Sequence, residues 1–265
     1  MTVLSLHRQG QDYRVDMAQA IDLSIPVQFD SSSLRAFGAP IAQARPLKVG
    51  SFIGDVNQQG SCNCSTYSLT PHSNGTHTEC VGHITSEAMS INSIAPTSLL
   101  FAALISITPE KVQCSFSSDD RLITRELLQH QFKEFDHCDA VIVRTPIDAH
   151  VMNSSDVNKC PAYFSEDAMA WLASLGIDHL LTDLPSVDRM NDNGLLLAHR
   201  AFWGMPQGST VLAQAKRSHA TITEFIHVPI DVANGNYLLN LQVAPLNGDA
   251  SPSRPLLYPL ILTDS

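Results

Sequence analysis

Three of the chain's eleven histidines fall in one short stretch, Pro71-His72-Ser73-Asn74-Gly75-Thr76-His77-Thr78-Glu79-Cys80-Val81-Gly82-His83, together with a carboxylate. Neutral imidazole and carboxylate oxygen are the usual protein ligands of zinc, manganese and iron. His77 and Glu79 are two apart, so in a strand both point to one face. His83 lies beyond Glu79 and can return to the site after a turn. Gly75 sits inside the cluster, where the missing Cβ permits unusual dihedrals or close backbone approach to an ion. The stretch alone supplies too few ligands to complete a site. If it holds a cation, the fold must bring side chains from far along the chain to meet it. The alternative reading is a polar loop with surface histidines.

The composition suits a chain that folds around such a site. Apolar residues make up 44% of the 265 positions and charged residues 16%, which favours a filled core over disorder. We expect one domain over residues 1–265, because Pro and Gly are spread throughout and no linker, repeat or low-complexity tract stands out. The net charge of −10 and the absence of a basic run argue against a nucleic-acid partner. The longest apolar run, 99–105, is far too short to span a bilayer. The first ten residues lack the pattern of a secretory signal. Six cysteines, at 62, 64, 80, 114, 138 and 160, are scattered without a zinc-ribbon pairing. They read as free thiols in a reducing cytoplasm, the other reading being a secreted protein stapled by its cysteines.

Strands are expected at 20–26, 64–70, 99–107, 140–144, 177–182, 221–229, 237–244 and 256–262, which are short and mostly rich in Val, Ile, Leu and Thr. Helices are expected at 119–135, where Leu122, Ile123, Leu127, Leu128, Phe132 and Phe135 keep near-helical spacing, at 166–175 after the cap Ser165, and at 195–203 before Gly204. Alternation of strands and helices predicts a mixed α/β fold, with the sheet curved into a barrel-like sandwich and helices on its flank.

Two later residues are candidates to complete the site. Glu224 stands among apolar neighbours in Thr221-Ile-Thr-Glu-Phe-Ile-His-Val-Pro229. In a buried strand its carboxylate would be costly unless paired or bound to metal. His199 lies on the third helix, where a histidine is more often a satisfied core residue.

These segments together resemble the cyclase family of metal-dependent hydrolases, which includes bacterial kynurenine formamidase and isatin hydrolase. The family's hallmark is His-x-Gly-Thr-His-x-Asp-x-Pro-x-His. Here His72, Gly75-Thr76-His77, Glu79 and His83 follow that order, with one extra residue before Gly75, Glu for Asp and Val81 for Pro. A β-bulge could absorb the extra residue. Ile21-Asp-Leu-Ser24, Ser186-Val-Asp188, Ala198-His199-Arg200, Thr223-Glu224 and Ser251-Pro-Ser-Arg254 resemble further family segments in the same order.

The resemblance implies a swivelling β/β/α, cyclase-like fold and one or two divalent ions, zinc or manganese. It implies that His72, His77 and Glu79 hold one ion, and that a bridging Glu79 holds a second with His199 and Glu224. His83 would be the acid–base. Ser186 and Asp188 would orient the later ligands, a turn or helix cap being the other reading of both. Arg254 would bind a substrate carboxylate or form a structural salt bridge. The reaction implied is hydrolysis of an amide, formamide or cyclic amide C–N bond of a small molecule, in a cytoplasmic homo-oligomer, dimer or tetramer. The alternative is a non-catalytic metal- or ligand-binding protein of the same fold.

Overall fold

Leu100–Ser106 and Ala140–Arg144 are buried on both faces because each lies between two packed layers. They belong to a seven-stranded barrel in a computed structural model that describes residues 2–94, 99–112, 120–132, 138–146, 157 and 160–263. Its strands are β1 (His77–Glu79), β2 (Leu100–Ser106), β3 (Ala140–Arg144), β4 (His179–Thr182), β5 (Thr221–Glu224), β6 (Gly235–Val243) and β7 (Ala250–Pro259). The spatial order is β6-β2-β3-β4-β5-β1-β7, and β7 pairs back onto β6 to close it. From β2 to β5 the neighbours are parallel, and every other seam is antiparallel. This is the mixed, barrel-like α/β architecture expected from the sequence.

Alternation along the strands separates two cores. Ala140, Ile142, Leu104 and Leu181 meet Leu239 and Leu257 in a core built from strand residues. Val141, Val143, Leu180 and Ile222 face the other way, against helical Ala168, Met169, Leu172, Phe202 and Trp203. Among the described residues the α-helices are α1 (Pro71–Asn74), α2 (Arg125–Gln131), α3 (Glu166–Ser174) and α4 (Leu197–Trp203). Ser165 caps α3 by accepting from Ala168 N at 3.1 Å, and Gly176 leaves it with φ +77°.

Several boundaries differ from those expected. The helix expected over 119–135 begins only at Arg125, because Thr124 is extended and its hydroxyl caps Leu127 N. Residues Arg121–Ile123 instead form a strand beside Ala162–Phe164, while 119 and 133–135 lie outside the described residues. The strand expected at 221–229 stops at Glu224, where Phe225 turns to φ +56°. The segment 20–26 contributes only Ile21–Asp22 and a bridge from Ser24 to Ile226. Ser65–Ser68 pairs with Gln43–Pro46 outside the barrel. The last expected strand begins earlier, at Ala250, and Ile261–Thr263 joins a separate sheet with Val3–Arg8 and Gln11–Asp16. That N-terminal hairpin was not anticipated. It turns at Gln9 and Gly10, both with positive φ, as a type I′ two-residue turn requires.

Among the described residues no helix is long and apolar enough to cross a membrane. Cys62, Cys64, Cys80, Cys138 and Cys160 are free, and Cys114 lies outside the described residues.

Candidate metal centre

The site sits on the wall of the barrel that faces the helices. Ile222 packs in the helix-side core, so Glu224, two residues on, shares its face. In the antiparallel seam β5–β1, Glu224 opposes His77 and Ile222 opposes Glu79. His77 and Glu79 therefore look out on one face, as their spacing predicts. Thr78, between them, turns away and bonds Thr223 Oγ1 at 2.8 Å.

The approach to β1 is not a bulge. Residues 71–74 form one helical turn, α1, with Pro71 in its first turn. The turn takes up the extra residue and swings His72 back over Glu79. Asn74 fixes it by accepting from Thr70 N at 2.7 Å and donating to Leu34 O at 2.9 Å. Thr76 accepts from Ile25 N at 2.7 Å and donates to Phe225 O. Gly75 is extended, and its role is close approach. A Cβ there would meet Ile25 O at 3.0 Å and Val27 Cγ2 at 3.1 Å.

Six of the residues singled out in the sequence converge. His72 Nδ1 lies 3.0 Å from Glu79 Oε2, and His199 Nε2 lies 2.9 Å from Glu79 Oε1. His77 Nε2 is 3.5 Å from Glu224 Oε2, and His199 Nε2 is 3.7 Å from Glu224 Oε1. His83 offers a nitrogen within 4.8 Å of ligand atoms of Glu79 and His199. His77 and Glu79 are fully buried, and His199 and Glu224 nearly so.

The residues 186–188 lock this arrangement. Val187 N donates to Glu224 Oε1 at 2.8 Å, and Ser186 Oγ accepts from Asp188 N at 3.1 Å. Asp188 accepts from His199 Nδ1 at 2.5 Å and from the Ala198 and His199 amides. Asp188 thus meets both a histidine ring and the first amides of α4. Arg254 is not brought into the cleft. Its exposed side chain pairs with Asp22 at 2.8 Å, the geometry of the salt-bridge reading.

One residue of the cluster was missed. Asp249 Oδ2 lies 2.9 Å from His72 Nε2 and 3.4 Å from His83 Nδ1. Its signal is the turn sequence Asn247-Gly248-Asp249 before a strand. Beginning that strand at Ala250 rather than at 256 would have set it beside β1, since Ala250 pairs with Glu79.

A divalent ion fits the donor set. Backbone carbonyls and carboxylates only accept, so each ring must donate the nitrogen that faces one. His77 Nδ1 donates to Gly75 O at 3.1 Å and His199 Nδ1 to Asp188, which leaves Nε2 of each ring facing the cluster as the nitrogen a cation would bind on displacing any proton there. His77 Nε2, His199 Nε2 and both Glu79 oxygens are buried without a hydrogen-bond partner. Their close contacts lack hydrogen-bond alignment, and four such atoms in one spot are a costly arrangement that a cation relieves. The electrostatics agree. Burial opposes charge on Glu79, yet His83, His199 and His72 hold it well below the usual carboxylate range. Burial likewise opposes protonation of His72, but Asp249 and Glu79 lift it to about 10. The cluster attracts positive charge.

Beside it opens a cleft of about 340 Å³, lined by Phe37, His72, His83, Ser186, Met190, Leu196 and Glu224 among others. That volume suits a small molecule.

The sequence matches the family described as "Putative cyclase" over residues 21–189, well over half of the chain. No curated protein matches it. Solved structures share the fold. Isatin hydrolase A from Labrenzia aggregata, bound to benzyl benzoate, is 14% identical, with 91% of this chain and 93% of that one covered at a TM-score of 0.63. Isatin hydrolase A from Ralstonia solanacearum is 15% identical, with 91% of each chain covered at a TM-score of 0.62. A predicted metal-dependent hydrolase from Bacillus stearothermophilus is 17% identical, with 91% of this chain and 98% of that one covered at a TM-score of 0.56.

Proposed function

Because the chain belongs to the cyclase family, we propose that it is a metal-dependent hydrolase of a small-molecule amide, formamide or cyclic amide, arylformamidase-like in its chemistry. The observation that carries this reading is the set of four buried, unpartnered ligand atoms on His77, Glu79 and His199 beside an open cleft. His72, His77 and Glu79 would hold one zinc or manganese ion. Glu79, His199 and Glu224 would hold a second. A divalent ion there supplies Lewis acidity, polarising a carbonyl and acidifying water to near neutrality.

The remaining work falls to the chain's own side chains. His83 lines the cleft beside Glu79 and His199, and an imidazole has one nitrogen that can accept a proton while the other donates one. It takes the proton from the attacking water and delivers it to the leaving nitrogen as the C–N bond breaks. One water is consumed, and the products are a carboxylate and an amine. Phe37, Met190 and Leu196 give the mouth an apolar border that seats the substrate and restricts water.

The reading includes a cytoplasmic homo-oligomer, which light scattering checks. The deciding experiment strips the protein with EDTA, restores Zn²⁺ or Mn²⁺, and assays aryl formamides, isatin-like cyclic amides and lactones. Metal-dependent release of carboxylate is expected. Tight metal binding without turnover on the whole panel would identify a non-catalytic member of the family.

A further inference from the structure

Each metal-facing imidazole of the cluster has its second nitrogen engaged. For His77 the partner is Gly75 O and for His199 it is Asp188, both accounted for in the architecture of β1 and α4. The third case is different, because the partner of His72 also reaches another ring. Asp249 Oδ2 lies 2.9 Å from His72 Nε2 and 3.4 Å from His83 Nδ1. The two rings stack with centroids 4.3 Å apart and planes at 34°.

We propose that Asp249 is a positioning residue that sets His72 as a ligand and His83 as the proton carrier through one shared carboxylate oxygen. The His83 half rests on the hydrolase reading above, and the His72 half needs only a cation.

A carboxylate oxygen has two lone-pair directions, so Asp249 Oδ2, hydrogen-bonded to His72 Nε2, has a second direction open toward His83 Nδ1 at 3.4 Å. His72 then carries its proton on Nε2, and Nδ1, which faces Glu79 Oε2 at 3.0 Å, keeps its lone pair for a metal. His83 carries its proton on Nδ1, which leaves Nε2 as the basic nitrogen. Without an acceptor there, either ring is free to take the other tautomer or rotate.

Asp249 is itself held. Its backbone carbonyl accepts from Cys80 N at 2.9 Å, and the carbonyl of Gly248 accepts from Ile91 N at 2.8 Å. Both anchors tie the start of β7 to the segment that carries His83. Gly82, next to His83, leaves room for the aspartate, since a Cβ there would lie 3.3 Å from Asp249 Cβ. The α1 turn brings His72 within reach of this carboxylate. The extra residue before Gly75 and the aspartate at 249 therefore work as a pair.

The test uses full-length, EDTA-stripped protein and Zn²⁺ alone as the probe. Calorimetry compares wild type with Asp249→Ala and Asp249→Asn, the second keeping the size of the side chain. Affinity is expected to fall 10- to 100-fold, as for other carboxylates that orient a ligand histidine. In a His72→Ala background the same substitutions should add almost nothing, because their effect runs through His72. Once Zn²⁺ is restored, ring ¹⁵N shifts should show His72 as the Nε2–H tautomer and His83 as the Nδ1–H tautomer in wild type, with both assignments lost in the variants. Where the wild type turns over an amide, Asp249→Ala should lower kcat with little change in KM. A wild type inactive on the whole panel would sink the hydrolase reading, while calorimetry and tautomers still decide the role of Asp249. Zn²⁺ affinity within twofold of wild type, an undiminished loss in the His72→Ala background, or unchanged tautomers would overturn the proposal.

Discussion

His77 and Glu224 are register partners across the seam between β1 and β5, with Nε2 3.5 Å from Oε2. Segments from opposite halves of the sequence are thus joined by the barrel ladder itself. A slip of one residue in that seam would turn either side chain to the other face. The Thr78–Thr223 hydrogen bond on the far side of the same ladder holds the register. His199 then descends from α4 onto Glu79, so that a helix and two strands supply one set of donors.

Metal should therefore act as a structural element. Stripping the ion leaves His77 Nε2, His199 Nε2 and both Glu79 oxygens without partners. Restoring Zn²⁺ or Mn²⁺ at a thousandfold excess over Kd should stabilise the fold by about 4 kcal/mol. For a chain of this size that is roughly 8–16 °C in Tm, readable by calorimetric melts with and without EDTA. His72 is lifted to about 10 in the metal-free cluster, so it enters the titration protonated at neutral pH. Metal binding should release protons, and affinity should rise with pH. Titrations in buffers of different ionisation enthalpy check this. A Tm indifferent to EDTA and metal would count against the site.

Asp188 should show two separable effects. It caps α4 through the Ala198 and His199 amides and holds His199 Nδ1 at 2.5 Å. Asp188→Ala should lose about 1 kcal/mol for the cap and 10- to 100-fold in metal affinity for the ring. Asp188→Asn keeps one acceptor oxygen and should recover part of the stability but little of the affinity. Chemical denaturation of stripped protein gives the first effect, and metal calorimetry gives the second.

The parts of this centre that were legible in the sequence are those governed by local rules. The period-two spacing of His77 and Glu79, the apolar runs that became β2 and β3, and the Ser165 cap each follow from a few neighbouring residues. Glu224 stood out because a carboxylate in an apolar strand demands a partner. The Asp188–His199 bond could be named because ligand histidines need an acceptor behind them. What stayed hidden depends on distant register. Asp249 gains meaning only once β7 is known to begin at Ala250 and to lie against Glu79. The α1 turn was hidden too, because Asn74 stabilises it through Leu34 and Pro40, which no local pattern connects. The partner of Arg254 was hidden as well, because its match to a family segment does not say which acid it meets; it faces solvent and Asp22.

Away from the cluster, His179 should make the fold acid-sensitive. It is nearly buried in β4 and bonded to Thr221 Oγ1 at 2.9 Å. Burial pushes it down to about 4. The unfolded chain, with a histidine near 6.5, takes up its proton first as pH falls. Stability from the neutral ring is thus present above pH 6.5 and lost as pH drops toward 4, by about 3 kcal/mol in all. His179→Gln keeps a hydrogen-bonding side chain and removes the titration. Urea unfolding at pH 7.5 and pH 5 should show a smaller loss for the variant than for the wild type. Asp183 in the same barrel, raised to about 7 by burial, contributes with the opposite sign. Its stability is lost as pH rises through 7, so the difference between the two proteins, rather than either profile, isolates His179. Equal acid sensitivity in both would remove His179 from this role.

Two glycines flanking the site should respond to alanine in opposite ways. At Gly82 a Cβ would stand 2.3 Å from the carbonyl oxygen of Met89 and 3.2 Å from its carbon. That neighbour is backbone and cannot swing aside, so the turn Val81–Ile84 must move and take His83 with it. Gly82→Ala should therefore destabilise by about 1–3 kcal/mol, as overpacking does. A displacement of His83 by about 1 Å should lower turnover by up to 100-fold. Metal affinity should fall less than on loss of a ligand, because His77 and Glu79 are fixed by the β1 ladder and, in the cluster, the new Cβ meets Asp249, at 3.3 Å. At Gly248 a Cβ would make only an ordinary contact, 3.4 Å from Ala250 O, and the residue has no positive φ. Gly248→Ala should be neutral or stabilise by about 0.4–1 kcal/mol through the unfolded chain. Thermal melts of the two variants, followed by Zn²⁺ calorimetry on each, separate a shifted turn from a shifted metal site. Loss of Zn²⁺ affinity in Gly82→Ala equal to that in His77→Ala would mean that the turn carries ligands directly.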